Sequence, residues 1–166
     1  MGVQLRNLAT VGGSIYSRFG FSDVLTMFLA LNASVELYKG GVVPLAEYAQ
    51  RPYDRDILVR VLVPKENARF VYQSVRNSQT DFPVLTCAAA KMADGSIRAA
   101  IGARPGKAVL YTAAPEAGET AEEFAARFAA EVKADIKTES NLRGGAEYRR
   151  HLAGVLTKRA VCRLEG

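Results

Sequence analysis

Asp94-Gly95 is the dipeptide that most narrows what this chain can become. It stands between two β-prone runs, residues 84–92 and 96–103, and an Asp-Gly turn favours a tight hairpin. With a third β-prone run at 69–75, the hairpin predicts three strands in meander order, hence an antiparallel sheet. Residues 107–112 add an edge strand or an extended loop. Such a sheet needs a cover, and the sequence that follows supplies helices. Thr120 precedes Glu123 at the spacing of a capping box, and Phe124, Phe128 and Val132 mark one helical face. A last helix over 146–164 places Tyr148, Leu152, Val155 and Leu156 on one stripe. Two helices on one face of a three-stranded sheet make an α+β lobe.

The first part of the chain is patterned differently. Val24, Leu25, Phe28 and Leu29 recur at helical spacing, with Ser22 or Asp23 at the N-cap position. Residues 33–38 alternate as a half-buried strand, Lys39-Gly40-Gly41 turns the chain, and Val43-Pro44-Leu45 re-enters the layer. Residues 57–63 form a further β-rich run closed by Pro64, so the boundary between two units is placed at 64–67, giving 1–64 and 65–166. A hydrophobic content of 49% is enough for a sizeable core. The formal charge of +5 is spread along the chain, and the aromatic residues do not interleave with basic ones, which argues against a nucleic-acid platform. Cys87 and Cys162 share no CxxC spacing and are expected as reduced, buried thiols rather than metal ligands. His151, the one histidine, is expected on a surface or interface. No signal peptide or apolar run of about 18 residues is evident, so the expectation is a cytoplasmic protein away from the membrane.

The chemistry gathers at Thr10-Val11-Gly12-Gly13-Ser14. Two glycines where a helix begins let a backbone approach an anion closely, and they permit φ values closed to other residues. Thr10 and Ser14 add hydroxyls, and Asp23, nine residues after Ser14, can accept hydrogen bonds from sugar hydroxyls. An ordinary glycine turn or a tight helix contact explains the same residues, and Asp23 also suits simple capping.

The run Arg6-Asn7-Leu8-Ala9-Thr10-Val11-Gly12-Gly13-Ser14, then Ser22-Asp23-Val24, then a helix ending Ala30-Leu31-Asn32-Ala33, resembles the second FAD-binding segment of the flavoprotein subunit of molybdenum hydroxylases. That family includes xanthine dehydrogenase and aerobic carbon monoxide dehydrogenase. Leu142-Arg143-Gly144-Gly145-Ala146-Glu147-Tyr148-Arg149-Arg150-His151-Leu152, with Lys158-Arg159-Ala160, resembles the final helix of the same subunit. The resemblance implies part of an α/β FAD-binding subdomain in 1–64 and the family's C-terminal domain in 65–166. It puts Thr10, Gly12, Gly13 and Ser14 on the FAD pyrophosphate, with Ser14 where the family usually has Asn, and Asp23 on a cofactor hydroxyl. Tyr72 would cover the flavin ring, or else simply pack on the neighbouring helix.

The same resemblance implies iron-sulfur and molybdopterin-binding partners, with electrons passing from iron-sulfur clusters through FAD to NAD or another acceptor. It also implies a glycine-rich first FAD subdomain that would precede this sequence, so the chain is expected as a fragment or split subunit without turnover of its own. A non-catalytic interaction module that has lost the cofactor, and a lone anion or nucleotide binder, are the alternatives. Arg143, Arg149, Arg150, Lys158 and Arg159 are read as a solvated basic face, part of which meets those partners. Arg76 with Asp81 is read as an ion pair bracing a turn.

Overall fold

The structure, a computed structural model, describes residues 2–65 and 69–165. The chain opens with two short helices, α1 (Val3–Leu8) and α2 (Val11–Tyr16), of which α1 buries no residue. α3 (Asp23–Ala30) starts at Ser22, whose Oγ accepts from the Leu25 N-H at 3.2 Å, and it buries Leu25, Thr26, Leu29 and Ala30. β1 (Ser34–Leu37) then lies between β2 (Gly41–Pro44) and β3 (Leu58–Leu62), antiparallel to both, in the order β2-β1-β3. Gly41, at φ 66°, makes the hairpin turn that the glycine pair at 40 and 41 announced. A single turn of helix, α4 (Leu45–Tyr48), follows β2 and was not foreseen. Of the expected boundary, Pro64 and Lys65 follow β3, while Glu66 and Asn67 lie outside the described residues.

The predicted meander holds the middle of the molecule. β4 (Arg69–Val75), β5 (Leu85–Lys91), β6 (Ile97–Gly102) and β7 (Val109–Ala113) run antiparallel in the order β4-β5-β6-β7. The run at 107–112 thus resolves as a fourth, edge strand, and Gly95 at φ 84° closes the β5-β6 hairpin. α5 (Ala121–Asp135) carries the complete capping box of Thr120 and Glu123, and α6 (Ala146–Glu165) lies beside it.

β5 and β6 are buried on both faces. Leu85, Cys87 and Ala89, with Ile97, Ala99 and Ile101, pack against Phe124, Phe128, Val132, Leu152 and Leu156 of the two long helices. Ala88, Ala90 and Ala100 belong instead to the cluster of Leu25, Leu29 and Val35. The result is three layers, α5 and α6 over the sheet and α3 beneath it. The alanines keep the lower side thin enough for a helix to lie close.

Three expectations need correction. The buried stripe of α6 runs Arg149, Leu152, Ala153, Leu156, Thr157, Ala160, Val161 and Leu164, a regular three-then-one spacing. Tyr148, one turn before Leu152 and at the edge of that stripe, stands 50% exposed, whereas Arg149, read as solvated, is fully buried. Cys162 is exposed on the far face of the same helix, while Cys87 is buried, with its thiol pushed up to about 12 by desolvation. Among the described residues, no helix is long and apolar enough to cross a membrane.

Candidate functional site

The glycine pair lies inside α2 rather than in a turn. Thr10 is the N-cap, its Oγ1 accepting from the Gly13 N-H at 3.0 Å, and Ser14 Oγ donates to the Thr10 carbonyl at 2.9 Å. The Gly13 amide and the Ser14 hydroxyl proton are therefore committed to the helix itself. Helix geometry leaves the Val11 and Gly12 N-H groups without an intrahelical acceptor. Neither glycine has a positive φ, so the expected glycine-only backbone is not what requires them. A Cβ on Gly12 would meet nothing within 4 Å, and one on Gly13 only Thr10 Oγ1 at 3.0 Å. Gly12 borders two shallow concavities of about 410 and 400 Å³ that run along the edge strand β3, past Tyr16, Ile57, Leu58 and Val59.

Asp23 is the first residue of α3, and its carboxylate is already engaged. Oδ1 accepts from Tyr72 Oη at 2.6 Å and from Arg76 Nη2 at 2.8 Å, and Oδ2 from the same Nη2 at 2.7 Å. A carboxylate offers about four lone-pair positions, so one is left for a further donor. Arg76 thus pairs with Asp23, 14% against 18% exposed, and reaches Asp81 only at its backbone carbonyl, at 2.7 Å. This replaces the expected Arg76–Asp81 pair. Asp81 turns its carboxylate to Arg143 instead, with contacts of 2.9 to 3.2 Å that hold it below the ordinary carboxylate range. The Tyr72 ring packs on the cluster of Leu25, Leu29 and Val35, and burial with the Asp23 hydrogen bond drives its pKa far upward, so the hydroxyl stays a donor. Of the six residues expected to bind a cofactor, Thr10, Gly12, Gly13 and Ser14 are contiguous, while Tyr72 and Asp23 form a separate contact.

A larger cavity, about 590 Å³, opens where the two parts of the chain meet, and the sequence reading missed it. Its walls are the α2-α3 connection at residues 18–21, Tyr53, Phe82 with Pro83, the β6-β7 connection, and Asn141 with Arg143. Phe19 and Phe21 stack at 5.1 Å, and Phe82 meets Phe21 edge-on at 4.8 Å. Three cations line it, Arg18, Lys107 and Arg143, and no carboxylate does among the described residues.

Arg18, at φ 51°, lies 4.0 Å over the Tyr48 ring and donates to the Pro52 carbonyl and to Asp54. Ala103, at φ 59°, donates its N-H to the Gly20 carbonyl at 2.6 Å. Only glycine fits at Gly20, because a Cβ would collide with the Gly106 carbonyl. Strained backbone gathered around a concave, aromatic, cationic space makes this cavity a candidate binding site. The Phe19-Gly20-Phe21 triplet and Pro105-Gly106-Lys107 were the signals available in sequence, but they lie far apart in the chain.

The model for the FAD binding domain in molybdopterin dehydrogenase matches residues 2–66, and that for the CO dehydrogenase flavoprotein C-terminal domain matches 70–164. The chain belongs to this family of FAD-binding subunits, whose cofactor is FAD. The uncharacterized Escherichia coli protein YgfM is 27% identical over 152 residues, covering 92% of this chain and 57% of YgfM. Carbon monoxide dehydrogenase from Hydrogenophaga pseudoflava superposes with a TM-score of 0.81 at 22% identity, over 98% of this chain and 63% of the matched one. Quinoline 2-oxidoreductase from Pseudomonas putida 86 gives 0.80 at 20%, over 99% and 63%. The chain therefore spans somewhat less than two thirds of the relatives it matches.

Proposed function

We propose that this chain is the later part of the FAD-binding subunit of a cytoplasmic, xanthine-dehydrogenase-like molybdenum hydroxylase, in which electrons from an iron-sulfur subunit leave through FAD to an acceptor. The observation that carries the reading is the N-terminus of α2. Two N-H groups free of intrahelical acceptors stand beside Gly12, whose missing Cβ leaves open space next to a groove. That fits a pyrophosphate. FAD, when bound, supplies the electron exchange.

The chain's own residues would hold and orient it. Gly12 admits the pyrophosphate, and Thr10, Gly13 and Ser14 keep the helix end in shape around it. Asp23 offers its remaining lone pair to a cofactor hydroxyl, while Tyr72, its ring packed on the neighbouring apolar cluster, fixes that carboxylate. The unit boundary at 64–67 accompanies this reading, and the gap between the two matched regions supports it.

Partners follow from the surfaces. Val11, Ile57 and Val59 expose apolar side chains along the groove, and Val3, Leu5 and Leu8 of α1 are exposed as well, surfaces suited to a glycine-rich N-terminal FAD subdomain. The iron-sulfur and molybdopterin-binding subunits would dock elsewhere on the assembly, and the exposed cations Arg150, Lys158 and Arg159 of α6 offer one such face. The cavity at the junction, aromatic and cationic, would receive the electron acceptor as a planar aromatic anion.

A second reading, an interaction module without cofactor, is favoured by the internal commitment of the Gly13 amide and the Ser14 hydroxyl. Gly12→Leu separates the two. In the complete assembly it should purify without flavin colour yet melt no lower, since Leu exceeds Gly in helix propensity by about 0.8–1 kcal/mol. A Gly12→Leu assembly with full flavin occupancy would sink the cradle. A wild-type assembly that is itself colourless would establish the second reading.

A further inference from the structure

Arg149 is the largest fully buried side chain among the described residues, and no carboxylate there answers its charge. Its guanidinium meets four neutral oxygens. Nε donates to the Val84 carbonyl at 2.9 Å, Nη1 to those of Glu139 at 2.7 Å and Gly144 at 2.5 Å, and Nη2 to Asn141 Oδ1 at 2.6 Å. Desolvation and the nearby charge of Arg143 lower its pKa, the mark of a cation held at a cost. Methionine would fill the space without that cost, but it would gather no acceptors.

Three of the four oxygens belong to the loop between α5 and α6, and that loop is a cavity wall. Asn141 and Arg143 both line the cavity, and Asn141 Oδ1 also accepts from the Arg143 N-H at 2.9 Å. Gly144 lies so close to the sheet that a Cβ would stand 3.1 Å from Val84 Cγ1. The loop is fastened to the opposite rim as well, since Glu139 N donates to the Arg104 carbonyl at 3.1 Å and Arg104 Nη1 to that of Lys137 at 2.5 Å.

We propose that Arg149 is the positioning residue of this wall. By drawing Glu139, Asn141 and Gly144 onto one guanidinium, it fixes Arg143 where an aromatic anion would meet it and so sets the affinity of the cavity. The inference rests on the cavity being the seat of such an anion.

The test uses the full chain, with 2-naphthalenesulfonate as calorimetric probe and amide hydrogen exchange over residues 139–145. Arg149→Lys and Asn141→Ala should each raise the Kd at least about fivefold and speed exchange in that loop about tenfold. Leu156→Ala, a core change on the same helix, should lower the unfolding midpoint yet leave both readings within about twofold. A folded Arg149→Lys with unchanged Kd and unchanged loop exchange would overturn the proposal, as would Leu156→Ala reproducing its losses. If Arg149→Lys does not fold, Asn141→Ala decides by the same two measures. Should the wild type not bind the probe, it is the cavity reading that fails. Loop exchange then decides alone: acceleration confined to 139–145 keeps Arg149 as the residue that positions the wall, and uniform acceleration removes it.

Discussion

The two parts of this chain bury their apolar side chains to very different degrees. Residues 69–165 leave only Phe70, Leu142 and Tyr148 as strongly exposed large hydrophobics among the described residues. Residues 2–65 expose Val3, Leu5, Leu8, Val11, Phe19, Val42, Ile57, Val59 and others. The later part closes its own core, with two long helices over a four-stranded sheet. The earlier part closes its core only against the underside of that sheet and leaves α1 and β3 open. The difference teaches that the later part is the foundation and the earlier part a shelf built on it, with an outer side that keeps its apolar residues exposed.

The comparison breaks most easily at Phe128. Truncating this buried ring to alanine should cost about 3–5 kcal/mol and melt both parts together, as judged by a thermal scan with two probes. If the signal of the first part survived, it would not depend on the sheet after all. Arg76→Met tests the bolt between the parts. Removing one partner of a largely buried, multiply bonded pair should cost about 1.5–3 kcal/mol in denaturant titration, and Asp23→Asn with it should cost less than the sum.

A smaller effect is expected from acid. The Asp81 carboxyl is held low chiefly by its hydrogen bonds from Arg143, so its folded pKa is depressed. Its contribution is complete above the unfolded value near about 4 and is lost as pH falls through the folded value. Asp81→Asn should flatten that part of the pH-stability curve and lower the neutral plateau by the same contribution, without changing its slope. The smallest change is expected at Leu8, 85% exposed. Leu8→Ser should leave stability within about 0.5 kcal/mol while reducing self-association in light scattering, and a large loss would mean α1 already packs on something.

Much of the foundation is legible in the sequence. The Asp94-Gly95 turn, the capping box at Thr120 and the Phe124, Phe128, Val132 face all act through neighbours close in sequence, where periodicity reports structure directly. Arg149 is hidden because a guanidinium reads as surface, and only the four oxygens gathered on it, three from the preceding loop and one from Val84, reveal otherwise. Asp23 and Arg76 lie 53 positions apart, and the cavity draws on segments near residues 18, 53, 82, 105 and 141, so no local pattern could assemble either. The glycine pair stands out for its chemistry, but the glycine-only φ expected of it is absent, because both residues lie within the helix that Thr10 caps.

The alanines of β5 and β6 carry a last consequence. Because these strands serve both clusters, the covalent seam after residue 65 is not a mechanical one. A protease that cuts behind the exposed Lys65 would sever the chain without parting it, since separation would have to peel α3 from Ala88, Ala90 and Ala100 and break the Thr26 to Thr86 contact at 3.3 Å. The two peptides should travel as one particle through a sizing column and dissociate only when the whole unfolds.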